Sequence, residues 1–197
     1  YVAAKRMRAV VVAAGNEANA RRHYLGNLAP LQEYEDVEIS VGDNIGGFTA
    51  ELLTNSPEVV SVAVQSPTGE SQPLIPARQG SSEEYRFLLE GTTVSISYSL
   101  GEFTRERELI FLRFTNPSKG IWRLRVYPEN YVTSRYHIWL PVTEFVQGDL
   151  FFLRSNPETT ITGPASAYAP ISVGGFNASD DSLYLDSGLS LIHISEP

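Results

Sequence analysis

The chain has 197 residues, of which 42% are hydrophobic, and this content is enough for one well-buried core or two small ones. Its formal net charge of −8 argues against nucleic acid as a partner, because phosphate backbones are bound by surfaces rich in Lys and Arg. With no cysteine and only three scattered histidines, neither a disulfide framework nor a zinc site is expected, and no cofactor is predicted. No apolar run approaches the roughly 20 residues that span a bilayer, so a membrane is not expected as a partner either.

An apolar run that ends abruptly in polar residues is the first predicted element. Residues 10–18 read VVVAAGNEA, and β-branched residues without polar alternation are typical of a strand buried on both faces in a parallel sheet. In α/β folds the carboxyl end of such a strand lies beside the ligand or the catalytic groups. Residues 1–33 are therefore predicted to be a fragment of an α/β domain.

Short alternating stretches separated by turns characterise residues 34–142. In VSISYSL (residues 94–100) and IWRLRVY (residues 121–127), apolar and polar side chains alternate, which is typical of half-buried antiparallel strands. About eight short strands without helical periodicity between them predict an antiparallel β-sandwich of the jelly-roll type. The other predicted strands are residues 35–41, 47–54, 60–64, 85–90, 108–114 and 135–140.

The apolar pattern of the first segment returns in residues 143–188. A second apolar strand is predicted at residues 171–176, followed by the polar stretch ASDDSLYLDSG. An all-β domain inserted into a surface loop of an α/β domain would produce this order of segments. The predicted fold class is therefore an α/β domain fragment interrupted by an all-β antiparallel jelly-roll sandwich.

The two flanking segments resemble the subtilisin-like serine proteases, the subtilases. VVAAGNE at residues 11–17 is similar to a signature of that family, and TITGPASAYAPISVGGF at residues 160–176 is similar to the strand that follows it. SLYLDSG at residues 182–188 resembles the Ser-rich segment that precedes the family's nucleophile region. The interrupted α/β domain is thus predicted to be a subtilase domain.

This resemblance implies roles for four consecutive residues. Ala13, Ala14 and Gly15 match the wall of the pocket that binds the substrate side chain, and Asn16 matches the donor of the oxyanion hole, a catalytic role. The residue types suit these roles, because Gly15 leaves room for a peptide backbone and an Asn N–H can meet an oxygen as it becomes negative. A structural alternative is that Asn16 caps a helix after the strand, with Glu17 near the positive end of the helix dipole.

A jelly-roll insert between the oxyanion Asn and the next strand resembles the Csp-type subtilases of spore-forming anaerobic bacteria. The best-known members of that group activate a cortex-degrading hydrolase during spore germination. The resemblance implies a serine endopeptidase with a polypeptide substrate, its own propeptide as a second partner, and a location in the spore or cell envelope. The family's Asp and His motifs would precede residue 1 and its Ser motif would follow residue 188, so the chain itself is expected to be inactive.

The last nine residues, LSLIHISEP at residues 189–197, resemble the translation of an adapter used in sequencing libraries. They are therefore set apart from the subtilase segment, and His193 and Ser195 are given no catalytic role. His23 is interpreted as a surface or loop histidine, and Asp180 with Asp181 as a solvated turn rather than an acid pair.

Two functions of other classes stay open. One is a jelly-roll module that binds carbohydrate or protein through the exposed aromatic side chains of Trp139, Tyr131 and Tyr136. The other is a pseudoprotease kept for regulation, because the triad residues that decide activity are not in the sequence.

Overall fold

The computed structural model describes residues 9–29, 32–55, 58–100, 107–129 and 134–190. These ranges contain twelve strands and a short 3₁₀ turn, Thr143–Phe145. No helix within them is long and apolar enough to cross a membrane. The strands, β1 to β12 in chain order, are Val11–Ala13, His23–Leu28, Glu35–Val41, Gly47–Asn55, Val60–Gln65, Ser82–Arg86, Thr93–Leu100, Arg107–Thr115, Gly120–Pro128, Ser134–Trp139, Leu150–Phe152 and Ile171–Val173.

The chain divides into two compact units. The flank unit consists of the residues up to His23 together with those from Asn156 onward. The sandwich unit is Tyr24–Ser155.

Two sheets build the sandwich unit. One has six strands in the order β2-β10-β4-β8-β7-β6, and the other has four in the order β11-β3-β9-β5. The registered pairs within them are antiparallel, with Glu51 opposite Phe111 in the first sheet and Ile39 opposite Trp122 in the second. The antiparallel sandwich expected from the alternating pattern is present, whereas its jelly-roll connectivity stays a prediction.

The alternating residues of β9 show how the sequence forms the core. Trp122 and Leu124 are buried in one continuous apolar cluster, and the Trp122 ring packs edge-on against Phe114 of the other sheet at 5.5 Å. On the opposite face of the same strand, Arg123 pairs with Glu38 and Arg125 with Asp36. A period of two therefore places the apolar side chains between the sheets and the charged ones in solvent.

The predicted α/β class is wrong for this chain. No α-helix occurs in the described residues, and β2 and β11, expected in the α/β segments, are strands of the two sandwich sheets. The chain turns directly after Asn16, where Ala20 N–H bonds the Glu17 carbonyl oxygen and Arg21 has φ 59°, and it enters β2 at His23. A left-handed residue ends a helical turn, so the polar stretch that was expected to lead into a helix forms a turn and a strand.

In the flank unit, β1 and β12 form a two-stranded parallel sheet. Val11 lies opposite Ile171 and Ala13 opposite Val173, so the two apolar strands of the flanking segments pair with each other. The apolar run is typical of a strand that is buried on both faces, whereas within the described residues Val11 is 61% exposed. Parallel strands normally lie covered on both faces, so this pair has the sequence of an interior strand pair but not its surroundings.

Candidate functional site

The four residues predicted to form the site follow one another at the carboxyl end of β1. Ala13 is the last residue of the strand and is exposed, Ala14 is buried, and Gly15 is half-buried. The backbone N–H of Ala14 donates to the Val173 carbonyl oxygen at 2.8 Å and so continues the pairing with β12 by one residue. The structure therefore has the three predicted wall residues one after another at the end of β1, where their role stays a prediction.

Thr162, to which the sequence assigned no role, fixes the backbone of this wall. Its Oγ1 donates to the Ala13 carbonyl oxygen at 3.1 Å, and its backbone N–H donates to the Ala14 carbonyl oxygen at 2.8 Å. Gly15 has φ +109°, and a Cβ there would lie 2.7 Å from Thr162 Cγ2. Gly15 is therefore required both by its backbone conformation and by the lack of space for a side chain. The only sequence signal for Thr162 was its place in the segment that resembles the family.

Asn16 lies at an exposed bend directly after this wall. Within the part of the chain that the structure describes, no residue hydrogen-bonds its carboxamide. The helix-capping alternative for Asn16 fails, because a turn and not a helix follows it. A carboxamide N–H that is presented to solvent can donate to an oxygen of a bound peptide.

The other polar residues of the flank unit that were considered, His23 and Asp180, make contacts within the fold. His23 is buried, contrary to the expectation of a surface histidine, and its Nδ1 lies 3.1 Å from the Asn156 carbonyl oxygen. Asp180 lies in an exposed turn, where hydrogen bonds from Ser182 hold the pKa of its carboxyl below the ordinary value. No group of acidic and histidine residues in the described ranges is arranged to hold a metal ion.

The aromatic residues considered for a binding module differ in how exposed they are. Tyr136 is fully buried and donates its hydroxyl to Glu35 at 2.6 Å, so it is not an exposed stacking surface. Burial is also the main cause that raises the pKa of Tyr136. Trp139 is half-buried on the outer side of β10 and stacks on His137 with ring centroids 5.2 Å apart. Tyr131 lies outside the described residues.

Comparison with solved structures relates this arrangement to a class of enzyme, the proteases. The CspB protease of Clostridium perfringens is similar to this chain, with 26% sequence identity and a TM-score of 0.83. The similarity covers 98% of this chain and 40% of that one, so the chain spans about two fifths of the length of that protease. It supports a relationship to the Csp-type, subtilase-like proteases. No protein-family model matches the chain, and comparison with curated proteins gives no match.

Proposed function

We propose that this chain is part of a subtilisin-like serine endopeptidase, in which Asn16 is the side-chain donor of the oxyanion hole. The observation that carries the proposal is the similarity to the CspB protease, which extends over 98% of the chain. The motif VVAAGNE and the solvent-facing position of Asn16 at the end of β1 support the same assignment.

The chemistry follows from the residues that the chain contributes. In an enzyme of this class a serine, activated by histidine and aspartate, attacks the peptide carbonyl carbon and forms a tetrahedral intermediate. The carboxamide N–H of Asn16 stabilises that intermediate by donating to the oxygen that has become negative. The triad residues come from a longer polypeptide, so residues 1–197 alone are expected to be inactive.

The wall beside Asn16 binds the substrate before the scissile bond. The backbone of Ala13, Ala14 and Gly15 is held from one side by β12 and from the other by Thr162, and a wall fixed in this way orients the bound peptide relative to the groups that react with it. The substrate is a polypeptide, and a propeptide of the same enzyme would occupy the wall in the same way.

The sandwich unit takes no part in the proposed chemistry. Its outer charges include the Asp36–Arg125 and Glu38–Arg123 ion pairs, and its core is filled by side chains. By resemblance to the Csp-type proteases, the biological role is proteolytic activation of a cortex hydrolase at the spore or cell envelope. Neither a nucleic acid nor a membrane is proposed as a partner.

The test is kinetic and uses the longer polypeptide, recovered by long-read sequencing of the source DNA across both ends of this chain. We expect Asn16→Ala to lower kcat on peptide substrates by about 10²–10³-fold, as loss of one oxyanion donor does, with little change in KM. Asn19→Ala is the matched control, because Asn19 is an exposed asparagine three residues away in the following turn. It should leave kcat unchanged.

Each other outcome removes a defined part of the proposal. If kcat is the same in Asn16→Ala and in the control, the oxyanion role of Asn16 is wrong although the protein is a protease. If the longer polypeptide lacks the nucleophilic serine and hydrolyses no peptide, it is a pseudoprotease. If its flanking segments are unlike subtilases altogether, the sandwich is better explained as a binding module.

A further inference from the structure

The segment Asp186 to Gly188 contacts the chain on both sides of Asn16. The Gly188 N–H donates to the Gly15 carbonyl oxygen at 3.0 Å, and the Asp186 carbonyl oxygen accepts from the Ala18 N–H at 3.3 Å. Asn16 and Glu17 thus lie between two backbone hydrogen bonds that come from the same three residues. We call residues 186–188 the clamp.

The bond at Gly15 acts on the peptide group that leads into Asn16. The carbonyl oxygen of Gly15 and the backbone N–H of Asn16 belong to one planar unit, so a hydrogen bond to that oxygen fixes the orientation of the plane. With φ of +109° at Gly15, the residue before this plane has the freedom of glycine, and an external contact is needed to hold it. The Gly188 N–H supplies that contact.

Gly188 is a glycine because the clamp lies against the strand. A Cβ at this position would lie 2.5 Å from the Ala14 carbonyl oxygen and 3.0 Å from that of Thr160. The Ala14 oxygen is held by the Thr162 N–H and cannot move away cheaply, so a side chain here would displace the N–H from Gly15. The close approach is therefore possible only without a side chain.

Ser187 ties the clamp to the end of β12. It is 4% exposed, its Oγ accepts from the Gly175 N–H at 3.0 Å, and its own N–H donates to the Tyr184 carbonyl oxygen at 2.9 Å. Without this hydroxyl the Gly175 N–H loses its hydrogen bond to Ser187, and the clamp loses its link to the residues that follow β12. The serine therefore connects the β12 side of the unit to the peptide that carries Asn16.

From this geometry we propose that Ser187 and Gly188 are positioning residues for Asn16. They touch no substrate and act by holding the Gly15–Asn16 peptide from both sides of the bend. The positioning is a property of the chain itself, whereas its catalytic meaning rests on the proposed function. In the sequence, SLYLDSG is notable only for its resemblance to the family. The hydrogen bonds indicate that its last two residues hold the Gly15–Asn16 peptide in place.

The first test measures the clamp in the 197-residue chain, whether or not it is part of a protease. Ser187→Ala is compared with Ser182→Ala, which removes an exposed serine hydroxyl bonded within its own turn. In Ser187→Ala we expect the Gly188 and Ala18 amides to exchange at least about fivefold faster, the factor given by one net hydrogen bond. The Asn16 carboxamide should also show a lower NMR order parameter, with both effects absent in the control.

Two other results of this exchange experiment would change the conclusion or the variant that is used. If only the Gly175 amide exchanges faster while Gly188, Ala18 and the Asn16 carboxamide are unchanged, the clamp does not depend on Ser187 and the proposal is wrong. If the Ala14 amide, which bonds Val173, also exchanges faster, the pair β1–β12 has opened. Ser187→Cys, which keeps the size of the side chain but accepts only weakly, then replaces the alanine variant.

The second test asks whether the clamp acts through Asn16 and is made in the longer polypeptide. Ser187→Ala should lower kcat several-fold with KM unchanged, and it should lower kcat no further when Asn16 is already alanine. An equal extra loss in the Asn16→Ala background would contradict positioning through Asn16. If the longer polypeptide has no peptidase activity at all, the proposed function fails, while the exchange experiment still decides the clamp.

Discussion

At the scale of single residues, Glu108 is a carboxyl buried in the sandwich. It is 3% exposed, its Oε2 accepts from the Val60 N–H at 2.9 Å, and its Oε1 has no partner among the described residues. Burial is the main cause that raises the pKa of Glu108 from 4.5 to about 7. Glu129, another acid, adds to the rise through its negative charge.

This raised pKa makes the stability of the sandwich depend on pH. Below pH 4.5 Glu108 is protonated in both the folded and the unfolded chain, so no stability is lost there. As the pH rises from 4.5 to about 7, the unfolded chain releases the proton first, and the free energy of unfolding falls. We expect Glu108→Gln to remove this fall and to be more stable than the parent chain at pH 8.

Urea unfolding between pH 4 and pH 8 measures the difference. Glu51→Gln is the control, because Glu51 is an exposed carboxyl on the neighbouring strand β4. Equal pH profiles for the parent chain and Glu108→Gln would show that another group is responsible.

Single residues also show what the phase of a strand predicts. In β10 the sequence places Trp139 out of phase with the core residues, and in β9 it places Trp122 in phase; the structure has Trp139 half-buried outside and Trp122 fully buried. Tyr136 is in phase with Ile138 and is buried with it. The alternation along the strand therefore predicted the burial of Tyr136 better than the intermediate burial that is usual for tyrosine.

At the scale of elements, the turn between β6 and β7 presents two leucines to solvent. Leu88 and Leu89 are 79% and 75% exposed, whereas Phe87 beside them is fully buried. The Glu70 carboxylate accepts from the N–H groups of both leucines, and the Gly91 N–H donates to the Phe87 carbonyl oxygen. Hydrogen bonds of backbone groups, two of them accepted by the Glu70 carboxylate, therefore hold this turn, and the leucine side chains do not.

Substitutions in this turn should have very unequal effects on stability. Phe87→Ala should lower the free energy of unfolding by about 3–5 kcal/mol, because its ring packs edge-on against Trp122 at 5.1 Å and against Tyr85 at 4.9 Å. Leu88→Ala, the adjacent control, should change it by less than about 0.5 kcal/mol, as an exposed side chain does. Denaturant unfolding checks both, and a large loss in Leu88→Ala would show that the leucines are covered.

The same turn shows why one strand was misplaced. A strand was predicted at residues 85–90, whereas β6 ends at Arg86. The run Phe-Leu-Leu breaks the alternation of a half-buried strand, and Glu-Gly follows it, so the turn had a signal in the sequence. For β2 the reason is different: a Cβ at Gly26 would lie 2.1 Å from the Tyr136 ring, so packing requires a residue that disfavours strands.

At the scale of the whole molecule, the sequence predicted some features better than others. The sandwich strands follow from local alternation, so they could be predicted from short stretches. The candidate site residues are contiguous too, but their role stays a proposal. The partners of the site, Thr162 and Gly188, are more than 140 residues away along the chain and contact it mainly through backbone groups. Such contacts leave little pattern in the sequence.

The distribution of buried apolar residues predicts which unit is stable alone. The core cluster runs from Tyr24 to Phe152, whereas the buried apolar residues of the flank unit, among those described, are three alanines. Since hydrophobic stabilisation follows the apolar area removed from water, nearly all of it belongs to the sandwich unit. We expect residues 24–155, expressed alone, to unfold cooperatively with a free energy close to that of the full chain.

The boundaries predicted from the sequence, residues 34–142, provide the sharper comparison. That shorter piece lacks β2 and β11 and with them Leu28 and Phe152, both fully buried. Each such side chain contributes about 1.5–3 kcal/mol, so residues 34–142 should be several kcal/mol less stable than residues 24–155 in urea. Equal stability of the two pieces would place β2 and β11 outside the cooperative core, whereas failure of residues 24–155 to fold would mean that the flank unit is needed to close it.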